Sequence, residues 1–92
     1  MIVTITLTPN VAQSELHSND QELANEYRVE VNSDVKKELI ANVALDVFHT
    51  NVPIKHLDDF NFIVRDADGI EIEESAATQE GLTSSKGTFL GE

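Results

Sequence analysis

The sequence predicts an α+β fold, a two-layer sandwich in which a mostly antiparallel sheet of about four strands is covered by one long helix. Hydrophobic and polar residues alternate in four short segments, as in strands with one buried face. One longer segment instead repeats apolar residues every three or four positions, the period of an amphipathic helix. One helix on one side of such a sheet covers the apolar face of the strands.

Residues 1–8 predict the first strand. Val3, Ile5 and Leu7 alternate with threonines, and Pro9 ends the run because proline has no amide hydrogen to donate to a neighbouring strand. The segment contains no charged side chain, so nothing in it would protect an exposed strand edge. We therefore expect this strand to lie inside the sheet or against a partner.

Segment 10–25 is ambiguous. Val11, Ala12 and Leu16 fit one or two helical turns after Pro9, whereas 18–20 (Ser-Asn-Asp) is typical of a turn that caps a second short helix. If the segment is helical, the arrangement approaches a split βαβ, ferredoxin-like fold.

The next segments predict a second strand followed by the long helix. Tyr27, Val29 and Val31 alternate with polar residues, and Ser33 or Asp34 then provides a helix N-cap. The helix extends to about residue 49, and its apolar stripe consists of Val35, Leu39, Ile40, Val43, Ala44, Val47 and Phe48. Because this helix connects the second strand to the third, we expect those two strands to run parallel with a right-handed crossover.

The last predicted elements form a hairpin. Residues 60–65 alternate as a third strand, 66–69 (Asp-Ala-Asp-Gly) form a turn in which Gly69 supplies a positive φ, and 70–73 form a fourth strand. Residues 1–75 are therefore expected to form a single domain. Residues 76–92 are poor in large apolar groups, so we expect a mobile C-terminal tail with Phe89 and Leu90 as a late docking point.

Composition and charge exclude several functional classes. The chain has 92 residues and a formal net charge of −11, with 17 acidic and 6 basic side chains. Such a charge repels phosphate backbones and anionic membranes, so we expect no direct binding to nucleic acid or membrane. Cysteine is absent, which excludes disulfides, zinc–thiolate sites and cysteine nucleophiles. With no secretory or membrane-spanning pattern in the sequence, we expect a cytoplasmic protein.

No motif predicts catalysis, a cofactor or a metal site. The sequence contains no glycine-rich phosphate loop, G-x-S-x-G elbow or H-E-x-x-H. A calcium loop aligned on Gly69 would need ligands where Val64 and Ser75 stand. The cluster His49, His56, Asp58 and Asp59 lacks a helical spacing that would present two imidazoles together.

Carboxylates are concentrated around the predicted hairpin. Glu71 and Glu73 alternate on one sheet face, about 6.6 Å apart at a strand rise of roughly 3.3 Å per residue. Such a row imitates nucleic-acid phosphates on a protein that binds a backbone with Lys and Arg; the alternative is a solvated face that protects an edge strand. The predicted partner-binding residues are Asp58, Asp59, Asp66, Asp68, Glu71, Glu73 and Glu74.

Small size, acidity, absence of cysteine and absence of catalytic motifs are together similar to phage-encoded inhibitors of nucleic-acid-targeting enzymes, a class that includes anti-restriction and anti-CRISPR proteins. The similarity is one of physical type, and no residue motif matches a named family. It implies a non-enzymatic inhibitor that occupies a basic nucleic-acid-binding surface. The alternative is a small assembly or virion subunit that pairs through its sheet as a homodimer, because the first strand is uncharged.

Overall fold

Five strands and one helix make up the regular structure of the chain, in a computed structural model that describes residues 1–12, 23–54, 57–75 and 86–92. The elements are β1 (Ile2–Pro9), β2 (Glu26–Val31), α1 (Ile40–Asn51), β3 (Phe60–Arg65), β4 (Glu71–Ile72) and β5 (Gly87–Gly91). The strands form one antiparallel sheet, and α1 covers one of its faces. The predicted α+β class is confirmed, with five strands where about four were expected.

The strand order is β4-β3-β1-β2-β5, and every neighbouring pair is antiparallel. β1 therefore lies at the centre, with Ile5 opposite Tyr27 on one side and Val64 on the other. This placement confirms the expectation that the uncharged first strand lies inside the sheet. Because β2 and β3 are both antiparallel to β1, they run parallel to each other, as predicted for strands connected through the helix.

The hydrophobic core lies between α1 and one face of the sheet. Alternate side chains of the central strands, among them Val3, Ile5 and Val29, are fully buried against the helix. Phe48 is also fully buried, and its ring lies 5.3 Å from that of Tyr27. Each such apolar side chain contributes about 1.5–3 kcal/mol by leaving water, so this two-layer contact holds the domain together.

The helix starts later than predicted. Ser33 and Asp34 lie in a turn that is closed by a hydrogen bond from the Val35 amide to the Asn32 carbonyl (3.2 Å). Lys36 is extended, a 3-10 turn follows at Lys37–Leu39, and α1 begins only at Ile40. The predicted N-cap at Ser33 or Asp34 is therefore wrong, because short polar side chains favour turns as readily as caps.

The predicted mobile tail is wrong for residues 87–91. They form β5, which pairs with the outer side of β2 and places the Phe89 ring 5.9 Å from that of Tyr27. The single domain therefore includes this strand, while residues 76–85 of the predicted tail lie outside the described residues. The ambiguous segment 10–25 is also only partly described, since 13–22 lie outside the same ranges.

The second face of the sheet is not covered by α1 and carries polar and charged side chains. Thr4 lies in register between Arg65 of β3 and Arg28 of β2. Arg65 donates a hydrogen bond from Nη1 to Thr6 Oγ1 across a distance of 3.4 Å. Among the described residues, no helix has the length and apolar character that crossing a membrane requires.

Candidate functional site: an acidic edge of the sheet

The β3–β4 hairpin is closed by a tight, hydrogen-bonded turn. Asp66 Oδ1 accepts hydrogen bonds from the amides of Asp68 (2.9 Å) and Ile70 (3.0 Å), and the Gly69 amide donates to the Asp66 carbonyl (3.0 Å). Gly69 has a φ of +81°, as the sequence predicted. These hydrogen bonds hold the backbone of the turn and the Asp66 side chain at the end of the hairpin.

β4 is an edge strand, and carboxylates follow its course. Glu71 lies in register with Arg65, and Glu73 and Glu74 follow directly after the strand with their side chains exposed. We name the predicted set the acidic edge; its members are Asp58, Asp59, Asp66, Asp68, Glu71, Glu73 and Glu74. They lie beside β3 or at one of its two ends.

Asp58 and Asp59 belong to the far end of this edge. They form a 3-10 turn immediately before β3. Asn10 fixes that turn, since its amide donates to the Asp59 carbonyl (2.7 Å) and its Nδ2 donates to the Asp58 carbonyl (3.1 Å). β3 separates them from Asp66 by six residues, about 20 Å at the rise of an extended strand, so the structure spreads the predicted residues along β3 and does not gather them in a compact cluster.

The chain after β4 is attached to the helix by a buried amide. Asn42, only 3% exposed, donates from Nδ2 to the Ser75 carbonyl (3.0 Å) and accepts from the Ser75 amide (2.8 Å). This pair of hydrogen bonds fixes the chain immediately after Glu74. The carboxylates of Glu73 and Glu74 are therefore carried by backbone that is held at both ends.

A groove of about 370 Å³ lies between α1 and the acidic edge. Its walls include Phe62 of β3 and His49 of α1, whose rings lie 5.5 Å apart, and its rim includes Glu73 and Glu74. His49 thus lies beside the carboxylates, whereas His56 of the sequence cluster lies outside the described residues. In the described part of the chain, no three His, Cys, Asp or Glu side chains are grouped so that they would hold a metal ion.

The carboxylates of the acidic edge are not neutralised by ion pairs within the described ranges. Both ion pairs recorded there lie elsewhere, between Lys86 and Asp34 (2.8 Å) and between Arg28 and Glu26 (3.8 Å). Arg65 is the cation in register with Glu71, but its guanidinium hydrogen-bonds to Thr6. The remaining described carboxylates belong to other segments of the chain: Glu26, Glu30, Asp34, Glu38, Asp46 and Glu92.

Sequence reasoning missed an apolar cleft at the turn end of the acidic edge. Met1, Val35 and Ile70, which belong to three separate segments, meet there. The sequence predicted Ile70 as the first residue of the fourth strand, but it lies before β4 and 61% of it is exposed. The sequence shows an aliphatic residue, Ile70, next to the turn glycine, which was a signal for an exposed apolar group. It does not show which distant segments lie beside that residue.

Comparison of the chain with protein-family models, with curated proteins and with solved structures gives no match.

Proposed function

We propose that this protein is a non-enzymatic inhibitor that occupies a basic nucleic-acid-binding surface of its target, in the manner of phage-type anti-restriction or anti-CRISPR proteins that imitate nucleic acid. The observation that supports the proposal is the acidic edge. Its carboxylates follow one side of the sheet and are held by hydrogen-bonded backbone at both ends. Within the described ranges no ion pair neutralises them.

The dimensions of the acidic edge suit a surface built for a phosphate backbone. The length of β3, about 20 Å, corresponds to roughly six nucleotides, because one strand of DNA carries a charge about every 3.4 Å along its axis. Lys and Arg side chains that normally contact phosphates would then pair with carboxylates. Hydrogen bonds hold the backbone on both sides of Glu71, Glu73 and Glu74, so binding would have to order only their side chains.

The net charge of −11 supports the same proposal at long range. An acidic protein is steered towards a basic surface, which raises the association rate, and this attraction weakens as salt screens it. We therefore expect the affinity for the target to fall steeply between about 50 and 300 mM salt.

Two triple variants with the same change of charge test the role of the acidic edge. The test variant is E71Q/E73Q/E74Q, and the control is E30Q/E38Q/E92Q, whose exposed residues lie elsewhere. Both are immobilised beside the unchanged protein, and an extract of the native cells is passed over all three. Retained proteins are identified and purified. Duplex DNA and RNA are then tested as competitors of their binding to the immobilised protein.

The proposal expects nucleic-acid-binding proteins to be retained by the unchanged protein and by the control, and to bind the test variant at least about tenfold more weakly. Competing nucleic acid should displace them. If both triple variants lost binding equally, the total charge of the protein, and not the position of the acidic edge, would determine binding. Retention that is indifferent to salt and to competing nucleic acid would contradict nucleic-acid mimicry altogether.

The alternative of a subunit that assembles through its sheet depended on a free edge at the first strand. β1 is hydrogen-bonded to β2 on one side and to β3 on the other. The observation that motivated this alternative therefore no longer supports it.

A further inference from the structure

The groove of about 370 Å³ between α1 and the acidic edge has an apolar floor. Its volume falls within the roughly 300–1,000 Å³ typical of ligand pockets. Phe60, Phe62 and Val64 alternate on the face of β3 that is turned towards the helix, and all three line the groove. Leu45 of α1 and Ile72 of β4 line it as well. The floor is therefore part of the hydrophobic core and is rigid.

One wall of this groove is aromatic. The exposed imidazole of His49 meets the Phe62 ring edge to face, at 5.5 Å between ring centroids. The buried ring of Phe48 supports both, at 5.1 Å from His49 and 5.9 Å from Phe62. Aromatic rings attract cations, above all the planar guanidinium of arginine, which also stacks on them.

The rim of the groove is negatively charged. Glu73 and Glu74 line it with exposed side chains, whereas no Lys, Arg or amino terminus of the described residues lines it. Arg65 is in register with Glu71, but its guanidinium hydrogen-bonds to Thr6 on the face of the sheet that α1 does not cover. The described chain therefore offers no cation that offsets the charge of this rim, so the rim favours a cationic occupant.

The apolar cleft at the hairpin turn differs from the groove in its charge. Its two carboxylates belong to Asp66 and Asp68. Lys37 and Met1 line the same cleft, and the ammonium group of Met1 donates to the Val31 carbonyl (3.0 Å). These two positive charges offset the two carboxylates, so the cleft does not select an occupant by charge.

We infer that the groove binds an arginine side chain of the basic partner. The guanidinium lies against the rings of Phe62 and His49, and its edge donates hydrogen bonds to the carboxylates of the rim. The inference rests on the proposed function, because it assumes that the acidic edge contacts a basic surface. It adds a preference for arginine over lysine, because a guanidinium is planar, weakly hydrated and able to donate two parallel hydrogen bonds, whereas an ammonium is a strongly hydrated point charge.

Three nine-residue peptides test the inference by NMR titration of the isotope-labelled full chain. The first alternates arginine with serine, the second has lysine at every arginine position, and the third has glutamate there. The titrations are run at pH 8, so that an imidazole carries little charge. Side-chain signals of Leu45, His49 and Phe62 report on the groove, and amide signals of Asp66 and Asp68 report on the acidic edge outside it.

We expect the arginine peptide to shift both sets of signals and to bind about fivefold more tightly than the lysine peptide. If both cationic peptides shift Asp66 and Asp68 with equal affinity, the inference fails and the proposed function stands. If neither cationic peptide shifts any signal, or if the glutamate peptide binds as well as they do, the proposed function fails together with the inference.

A matched pair of variants locates the preference for arginine. His49→Ser removes a ring from the groove, and Thr50→Ala changes the next residue of the same helical turn, which is exposed and does not line the groove. Both side chains are largely in water, so both variants should fold. His49→Ser should reduce the preference to less than about twofold and leave the affinity for the lysine peptide unchanged, and Thr50→Ala should keep the fivefold preference. A preference that survives in His49→Ser, or one that is lost in both variants, would overturn the inference.

Discussion

Asn42 is a buried polar residue whose hydrogen bonds hold the end of the acidic edge. Both functional groups of its amide are bonded to the backbone of Ser75. We expect Asn42→Ala to lower the free energy of unfolding by about 1–3 kcal/mol, because two hydrogen bonds at a buried site are lost. Asn61, whose bond to Asn10 is exposed, is the matched control, and Asn61→Ala should change stability by less than about 0.5 kcal/mol. Urea unfolding of both variants measures the difference, and equal losses would contradict the role given to Asn42.

Gly87 is a position in β5 that leaves no room for a side chain. A Cβ at this position would lie 2.8 Å from the Glu30 carbonyl oxygen and 3.1 Å from Val47 Cγ2. Gly87→Ala should therefore destabilise the domain by about 1–3 kcal/mol through overpacking. Gly69 provides the contrast, since a Cβ there would lie more than 4 Å from every described residue other than its chain neighbours, and only its φ of +81° disfavours a side chain. Asparagine tolerates a positive φ, so Gly69→Asn should lower the melting temperature less than Gly87→Asn does in thermal unfolding.

The exposed ion pair between Lys86 and Asp34 predicts a measurable titration. The hydrogen bond from Lys86 and its positive charge lower the pKa of the Asp34 carboxyl. The pKa of Asp34 is lower in the folded state than in the unfolded state. The pair therefore stabilises the domain fully at pH values above the unfolded-state pKa. This stabilisation is lost as the pH falls through the folded-state pKa of Asp34. NMR titration should show the Asp34 pKa rising towards its ordinary value in Lys86→Met, and an unchanged pKa would contradict this account.

β5 is the element whose role differs most from the sequence prediction. Phe89 packs on Tyr27 from this strand, whereas Leu90 is 46% exposed. Phe89→Ala should therefore lower the free energy of unfolding by about 1–2 kcal/mol, and Leu90→Ala should lower it by less than about 0.5 kcal/mol. Denaturant unfolding gives both values, and hydrogen exchange gives the protection of the β5 amides. A mobile tail would instead make both substitutions neutral and leave those amides unprotected.

The elements that the sequence predicted well are those whose pattern repeats several times. β1, β2 and β3 each alternate over six or more residues, and α1 carries a long apolar stripe, so their burial leaves a clear period. β5 has one apolar pair between two glycines, too short for a period to be recognised. The start of α1 was misplaced because Val35 fits the stripe although it lies in a turn before the helix.

The candidate site was predictable to the extent that it is continuous in sequence. The carboxylates of the acidic edge occupy two short stretches of the chain, so their proximity to β3 followed from the predicted hairpin. The cleft was not predictable in this way, because Met1, Val35 and Ile70 meet only through the order of the strands. That order is set by which strand edges pair, and alternation does not encode it.

The net charge of the whole molecule opposes its own folding. With a net charge of −11, like charges repel more in the compact state than in the expanded one. Raising sodium chloride from about 10 to 500 mM should therefore raise the melting temperature by a few degrees, because the screening length shortens. Chloride is preferable to sulfate, which stabilises proteins by exclusion from their surface. Calorimetry at several salt concentrations measures the effect, and a melting temperature that falls would contradict it.

The central position of β1 has a consequence for biosynthesis. This strand is synthesised before either of its neighbours, and its second neighbour, β3, ends only at Arg65. At a synthesis rate of about 5–20 residues per second, an uncharged strand waits roughly 3–11 s with an unsatisfied side. During that interval the strand has an unpaired edge and no charged side chain to oppose its pairing with another chain.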